Sequence, residues 1–254
     1  SIRPLLDPVE TTALRTALEG YTVDAVQASI GLAGRSALAR DDLDGFESAL
    51  GDERLDELLR LFVRGAARPR RTVEQVLAPF PIEAGLAGGL LVRDGDEVRA
   101  GLEIRPYAAE TPFGATAETS WWVLSDFGSD VRPGPVAADH VLGIGTAALT
   151  LAQATIRRPV DRALDIGTGC GIQALHLSGH AGTVVGTDIS RRALRLAATT
   201  AALNGLDWHL RAGSLLEPIA ADERFDLIVA NPPFVVSPGW AGADGGYDYR
   251  DSGL

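Results

Sequence analysis

Lysine and methionine are missing from this 254-residue chain, asparagine occurs twice and cysteine once. All 23 basic residues are therefore arginine, set against 34 carboxylates for a net charge of −11. So acidic a chain is poorly suited to hold nucleic acid indiscriminately, because that affinity rests on cationic contacts with phosphates; a local basic patch is still allowed. The lone cysteine, Cys170, permits no internal disulfide framework and points to a reducing compartment, the cytoplasm. No apolar run reaches the length of about 20 residues that a membrane helix needs, and no signal-peptide pattern is visible. His140, His176, His180 and His209 fall on separate elements without ligand spacing, so no metal site is expected. A hydrophobic content of 46% leaves material for one large core or two modest ones.

What is there centres on one of the two asparagines. Asn231-Pro232-Pro233-Phe234 follows the apolar run from Phe225 to Ala230. Two prolines remove two backbone donors and fix two φ angles, so the loop is stiff and its carbonyls are aimed. The Asn231 side-chain oxygen and the Pro232 carbonyl can both accept from one NH2 group, and Phe234 offers a face for a planar substrate. An amino nitrogen held this way can be aimed at an electrophile, which removes several kcal/mol of barrier by alignment alone. The plainer reading is a rigid strand-to-loop turn.

Upstream, Arg162–Ile166 reads as a short buried strand, then a glycine turn (Gly167, Thr168, Gly169, Cys170, Gly171), then a helix to Gly179. Glycines at such a turn let a ligand approach the backbone and the helix N-terminus. The next strand, around 183–186, ends at Asp188, placed for ribose hydroxyls, with Ile189 behind it. Dinucleotide dehydrogenases share the layout, but their Gly-x-Gly-x-x-Gly spacing differs from the Gly167-x-Gly169-x-Gly171 found here. Cys170 reads as a small residue that fits the crowded turn.

The segment Asp165–Gly171, Asp188 and Asn231–Phe234, in this order and spacing, resembles class I S-adenosylmethionine-dependent methyltransferases. The nearer likeness is the amino-methylating branch with an Asn-Pro-Pro-aromatic motif, which includes release-factor glutamine and ribosomal RNA guanine-N2 methyltransferases. The resemblance covers about residues 140–254. It implies S-adenosylmethionine as cofactor, with Gly167, Thr168, Gly169, Cys170 and Gly171 passing under its methionine part and Asp165 beside them as an acid that orders the loop, the plainer reading being a solvated strand end. Asp188 and Ile189 would meet the ribose side and Ser214 the adenine, where the family often has an acid. Asn231, Pro232, Pro233 and Phe234 would hold the target amine. Asp139 and Gly145 are further candidates, on a segment that covers the cofactor in related enzymes. The implied substrate is a glutamine side chain of a translation factor or an amino group of a base in RNA. A scaffold without catalysis, binding RNA or protein, is the alternative from another class.

Beyond the motifs, Ser190 caps a helix ended by Asn204-Gly205, residues 207–211 form a third strand and 225–230 a fourth. The alternation predicts a parallel Rossmann-like sheet. Only 20 residues follow Phe234, so the reading expects a sheet cut short after its fourth strand. The first hundred residues differ. Helix starts appear at Asp7-Pro8, Thr22 (ending near Gly31), Asp52–Arg54 and Thr72 (stopped by Pro79), followed by a hairpin from Leu90 to Ile104 around Asp94-Gly95. Helices before a hairpin look like a winged-helix module, and the arginines of 64–71 with Arg93 and Arg99 would be its basic surface, although interspersed carboxylates favour a solvated loop. Residues 106–135 read as a linker in which Trp121 and Trp122 pack as strand, and 140–154 as a helix capped by Asp139. The division expected is a helical domain at 1–110 and a methyltransferase-like domain at 111–254.

Overall fold

The computed structural model describes residues 2–109, 119–135 and 137–231; Pro232, Pro233 and Phe234 lie outside them. The chain forms two units, Pro4–Pro133 with Ala202–Gly205, and Ser1–Arg3 with Gly134–Ala201 and Leu206–Leu254.

The first unit begins with helix α1, Pro8–Ala17. Its start is the capping box expected: Glu10 N–H donates to Asp7 Oδ1 and Asp7 N–H to Glu10 Oε2, both at 2.8 Å. α2, Val23–Leu38, is capped by Thr22 Oγ1. The expected end at Gly31 is a kink instead, because Gly31 takes a φ of 58° and a second helical stretch resumes behind it. α3, Leu43–Ser48, escaped the sequence reading because six residues carry too little periodicity. α4, Arg54–Phe62, turns Leu58, Leu59, Leu61 and Phe62 into the core.

Then come the short strand β1, Arg68–Pro69, and helices α5, Arg70–Leu77, and α6, Ile82–Gly88. Strands β2, Leu91–Asp94, and β3, Glu97–Ala100, close a hairpin on Gly95, whose φ of 60° suits the turn. The three strands lie in antiparallel order β1-β3-β2. The expected hairpin strand to Ile104 is corrected here. Residues 103–109 form a separate strand, β4, Glu103–Ala109, antiparallel to β5, Thr119–Ser125. That pair also corrects the linker expected at 106–135. Trp121 is buried, its ring 5.9 Å from that of Tyr107, which is the packing role expected of it. Trp122 Nε1 donates to Tyr21 O at 2.8 Å, and Asn204 brackets the Trp122 backbone with bonds of 2.9 and 2.8 Å.

Two of the four arginines of the stretch 64–71, and Arg60 just before it, are hydrogen-bonded to carboxylates. Arg68 donates twice to Glu57 at 2.8 Å, Arg60 to Glu47 and Glu57, and Arg70 to Glu74 and Glu83.

The second unit is a parallel sheet with helices. α7, Thr146–Ala154, starts at Gly145, not at Asp139, which instead lies 3.7 Å from Arg192. β6, Val160–Ile166, leads through the glycine turn into α8, Ile172–Ser178. β7, Ala181–Asp188, precedes α9, Arg191–Leu203, capped by Ser190 Oγ as expected. β8, His209–Ala212, and β9, Leu227–Ala230, complete the described strands. The order is β8-β7-β6-β9, all parallel. Ala163, Leu164, Val184, Val185 and Val229 fill the strand layer, and Leu175, Leu177, Leu194 and Leu196 the helices against it. Strand order reverses between β6 and β9, the place where open α/β sheets put their ligands.

Candidate functional site

The site follows from how three strands end. Asp165 on β6 is buried, and its Oδ2 accepts from Thr168 Oγ1 at 2.6 Å. Its Oδ1 has no partner within bonding geometry, although the Ala174 N–H in the first turn of α8 lies near enough to favour charge. Burial dominates and pushes the carboxyl up to about 7, with Asp188 adding repulsion. Asp165 thus orders the turn from beneath.

The turn is fixed by its backbone. Gly167 and Thr168 N–H both donate to Thr187 O at 2.9 Å, and Gly171 N–H to Thr168 O at 2.8 Å. Gly167, Gly169 and Gly171 take φ values of 71°, 55° and 96°. At Gly167 and Gly169 a β-carbon would meet nothing within 4 Å, so the backbone is open to a ligand. Gly171 differs: a β-carbon there would lie 2.5 Å from the Trp208 ring. Cys170 is buried, its thiol directed at Leu142 O at 3.2 Å, as befits a packing residue.

Asp188 ends β7 on the same side. One carboxylate oxygen accepts from Gly169 N–H at 2.9 Å and the other from Ser190 N–H at 2.8 Å. Burial raises its pKa, and these two amides oppose the rise. Each oxygen keeps a lone pair for a ligand hydroxyl. Ile189 beside it is exposed. After β8, Gly213 N–H returns to Asp188 O at 3.0 Å, which brings Ser214 alongside. Ser214 N–H donates to Glu217 Oε2 at 3.0 Å. Glu217, five residues past the strand, thus brings a carboxylate to the backbone of Ser214.

β9 supplies the remaining element. Ile166 pairs with Ala230, so Asn231 stands one residue beyond the last pair, level with Gly167. The structure therefore gathers Asp165, the glycine turn, Asp188, Ile189, Ser214 and Asn231 at one end of the sheet. Asp139 and Gly145 precede and begin α7, away from these strand ends in the chain, and no bond of theirs reaches a turn residue among the described contacts. Sequence reasoning missed Thr187, whose carbonyl takes two turn amides and whose hydroxyl donates to Leu215 O at 3.0 Å. A threonine inside the apolar strand Thr183–Asp188 was the available signal. Trp208 was missed too, since its contact with Gly171 spans 37 positions that no local pattern links.

Comparison with known proteins accords with this arrangement. Residues 134–240 match the methyltransferase small domain family, and residues 18–101 match a domain of unknown function, DUF7059. The chain is 37% identical over 181 residues to a release factor glutamine methyltransferase of Deinococcus radiodurans, covering 69% of this chain and 62% of that protein. It is 38% identical over 112 residues to a ribosomal protein uL3 glutamine methyltransferase of Bradyrhizobium diazoefficiens, covering 42% and 34%. With ribosomal RNA small subunit methyltransferase C of Alcanivorax borkumensis it shares 36% over 73 residues, covering 29% and 22%. The chain spans less than two thirds of each of these relatives. The strand order, the glycine turn and the acid after β7 accord with the match of residues 134–240 to the methyltransferase small domain family.

Proposed function

We propose that the protein is an S-adenosylmethionine-dependent N-methyltransferase acting on a planar amino group, with a protein glutamine as its substrate. The observation that carries this reading is the register of β9 against β6, which brings Asn231 level with Gly167 at the start of the open glycine turn. The residues present suit the cofactor. Gly167 and Gly169 leave bare backbone for its methionine part, Asp188 has lone pairs for ribose hydroxyls, and Ile189 with Ser214 flanks the base. S-adenosylmethionine would supply an electrophilic methyl group on its sulfonium.

The chain's part is positioning. Asn231 Oδ1 and the Pro232 carbonyl accept the two N–H groups of the target, turning its nitrogen lone pair toward the methyl. Transfer would form the N–C bond as the cofactor's S–C bond broke, and the proton would leave to water afterwards, so the chain need supply no general base. Phe234 stacks against the plane of the target.

Charge supports protein over RNA. Residues 4–133 hold 13 arginines against 22 carboxylates, a net −9 that repels a polyanion. The helix–strand–helix–helix–hairpin order of α4 to β3 favours the second reading, an RNA base presented by a winged-helix module. We propose a helical domain followed by the methyltransferase domain, acting in the cytoplasm, with the boundary near residue 133 in place of the expected 110, which would divide the β4–β5 pair.

The test is calorimetric titration with S-adenosylmethionine alongside methyl transfer to a glutamine-bearing translation factor. Asn231→Ala is expected to lower transfer at least about 100-fold while cofactor affinity holds within threefold. Unchanged transfer would sink the role of Asn231, and absence of cofactor binding by the wild type would leave the scaffold reading.

A further inference from the structure

We propose that Arg64, Arg99 and Arg132 form a binding site for a small oxyanion, the phosphate group of a low-molecular-weight ligand. The site lies in the first unit and is independent of the methyl-transfer reading.

Arg132 draws the three together. Its Nη2 donates to Gly65 O at 2.7 Å, next in the chain to Arg64, and lies 3.4 Å from Ala100 O, next in the chain to Arg99. Its guanidinium stacks over Phe127 at 4.9 Å, which fixes its plane. Burial first, then the field of Arg99 and that of Arg64, hold the Arg132 pKa below its ordinary value; Asp94 opposes them.

The trio contrasts with the well-paired arginines. Arg60, Arg68, Arg70, Arg162 and Arg211 each donate to a carboxylate at 2.5–3.1 Å. Arg64, Arg99 and Arg132 donate no hydrogen bond to any carboxylate among the described residues. Arg64 only approaches the fully exposed Asp44 at 4.0 Å, and its Nε is buried without a partner. Arg99 reaches Asp94 at 3.4 Å. Arg132 leaves Nε and Nη1 without an acceptor among the described residues.

Gathering like charges is unfavourable unless a counter-charge completes them. Two carboxylates at the rim, Asp44 and Asp94, do not neutralise three guanidiniums. Planar forks that carry several N–H groups match phosphate oxygens. The net −9 of the surrounding unit argues for a small ligand over a polymer, since long-range repulsion grows with the partner's charge.

The experiment is calorimetric titration of the full chain with inorganic phosphate at low chloride. Wild type is expected to bind, with Arg99→Gln and Arg64→Gln each weakening binding at least tenfold at an unchanged melting temperature. Arg132 is left in place because its carbonyl bonds also serve the fold. If one variant fails to fold, the other decides alone. No binding by the wild type, or equal binding by folded variants, would overturn the proposal. An RNA oligonucleotide that binds more tightly than phosphate, and is released by the same substitutions, would overturn its assignment to a small ligand.

Discussion

One buried acid in each unit shows two different degrees of satisfaction. In the first, Asp56 is buried yet fully bonded, with Ser29 Oγ at 2.6 Å on one oxygen and Glu53 N–H at 3.1 Å on the other. Tyr21 is equally enclosed, its hydroxyl donating to Ile104 O at 2.9 Å. In the second, Asp165 is just as buried but has one oxygen without a bonded partner, and His176 sits in the core. A satisfied buried acid serves the fold. An acid left partly unsatisfied, next to an open glycine turn, is retained at a cost in stability, and such costs concentrate where function requires them.

Variants can break or sharpen that contrast. The largest stability effect is expected in the first unit: Phe62 is wholly buried, and Phe62→Ala should cost about 3–5 kcal/mol. Urea unfolding would show the loss, and cofactor affinity at temperatures where the variant is folded should hold. A stability change under 1 kcal/mol would mean that the core relaxes around the cavity.

Gly171→Ala should act the other way, at about 1–3 kcal/mol, because both its φ of 96° and the Trp208 ring oppose a β-carbon. It is expected to weaken S-adenosylmethionine binding as well as the fold. Adding Trp208→Leu should recover only part, since the ring contact is relieved and the φ strain is not. Full recovery in the double variant would show that φ strain at this position is negligible.

The smallest effect is a slope against pH. Asp165, pushed up to about 7, keeps its proton longer folded than unfolded, so its contribution falls as pH rises from about 4 to 7. His176, held down to about 4 by burial and then by Arg157 and His180, is present as a neutral ring above its usual value of 6.5 and costs stability as pH falls from there to 4. The two slopes oppose each other in that window. Relative to wild type, Asp165→Asn should make stability climb more steeply from pH 4 to 6.5, and His176→Gln should make it fall. Unfolding midpoints in urea across this range decide it, and identical slopes in all three proteins would discount both groups.

How much could be read beforehand depended on range. Asp7 with Glu10, and Ser190 before α9, were legible because capping acts over three residues. The parallel order of β6 to β9 was legible in apolar runs alternating with helices. Asp139 misled because an acid before a helical pattern imitates a cap, whereas the helix begins at Thr146. The β4–β5 pair was hidden by the prolines and glycines of 106–135, which read as linker although Trp121-Trp122-Val123-Leu124 is strand-like. At the site, Asp165, Asp188 and the glycines announced themselves by spacing. Thr187 and Trp208 could not, because each acts through a partner that only the fold brings near.

The pairing of Ile166 with Ala230 has a consequence for how such a site can change. Strand register moves in steps that alternate faces, so a one-residue insertion or deletion within Leu227–Ala230 would turn Val229 out of the core. Small lengthenings cannot shift Asn231 gradually along the sheet. Diversification toward new acceptors is therefore channelled into residues beyond 231, while the strand that carries them stays a fixed ruler.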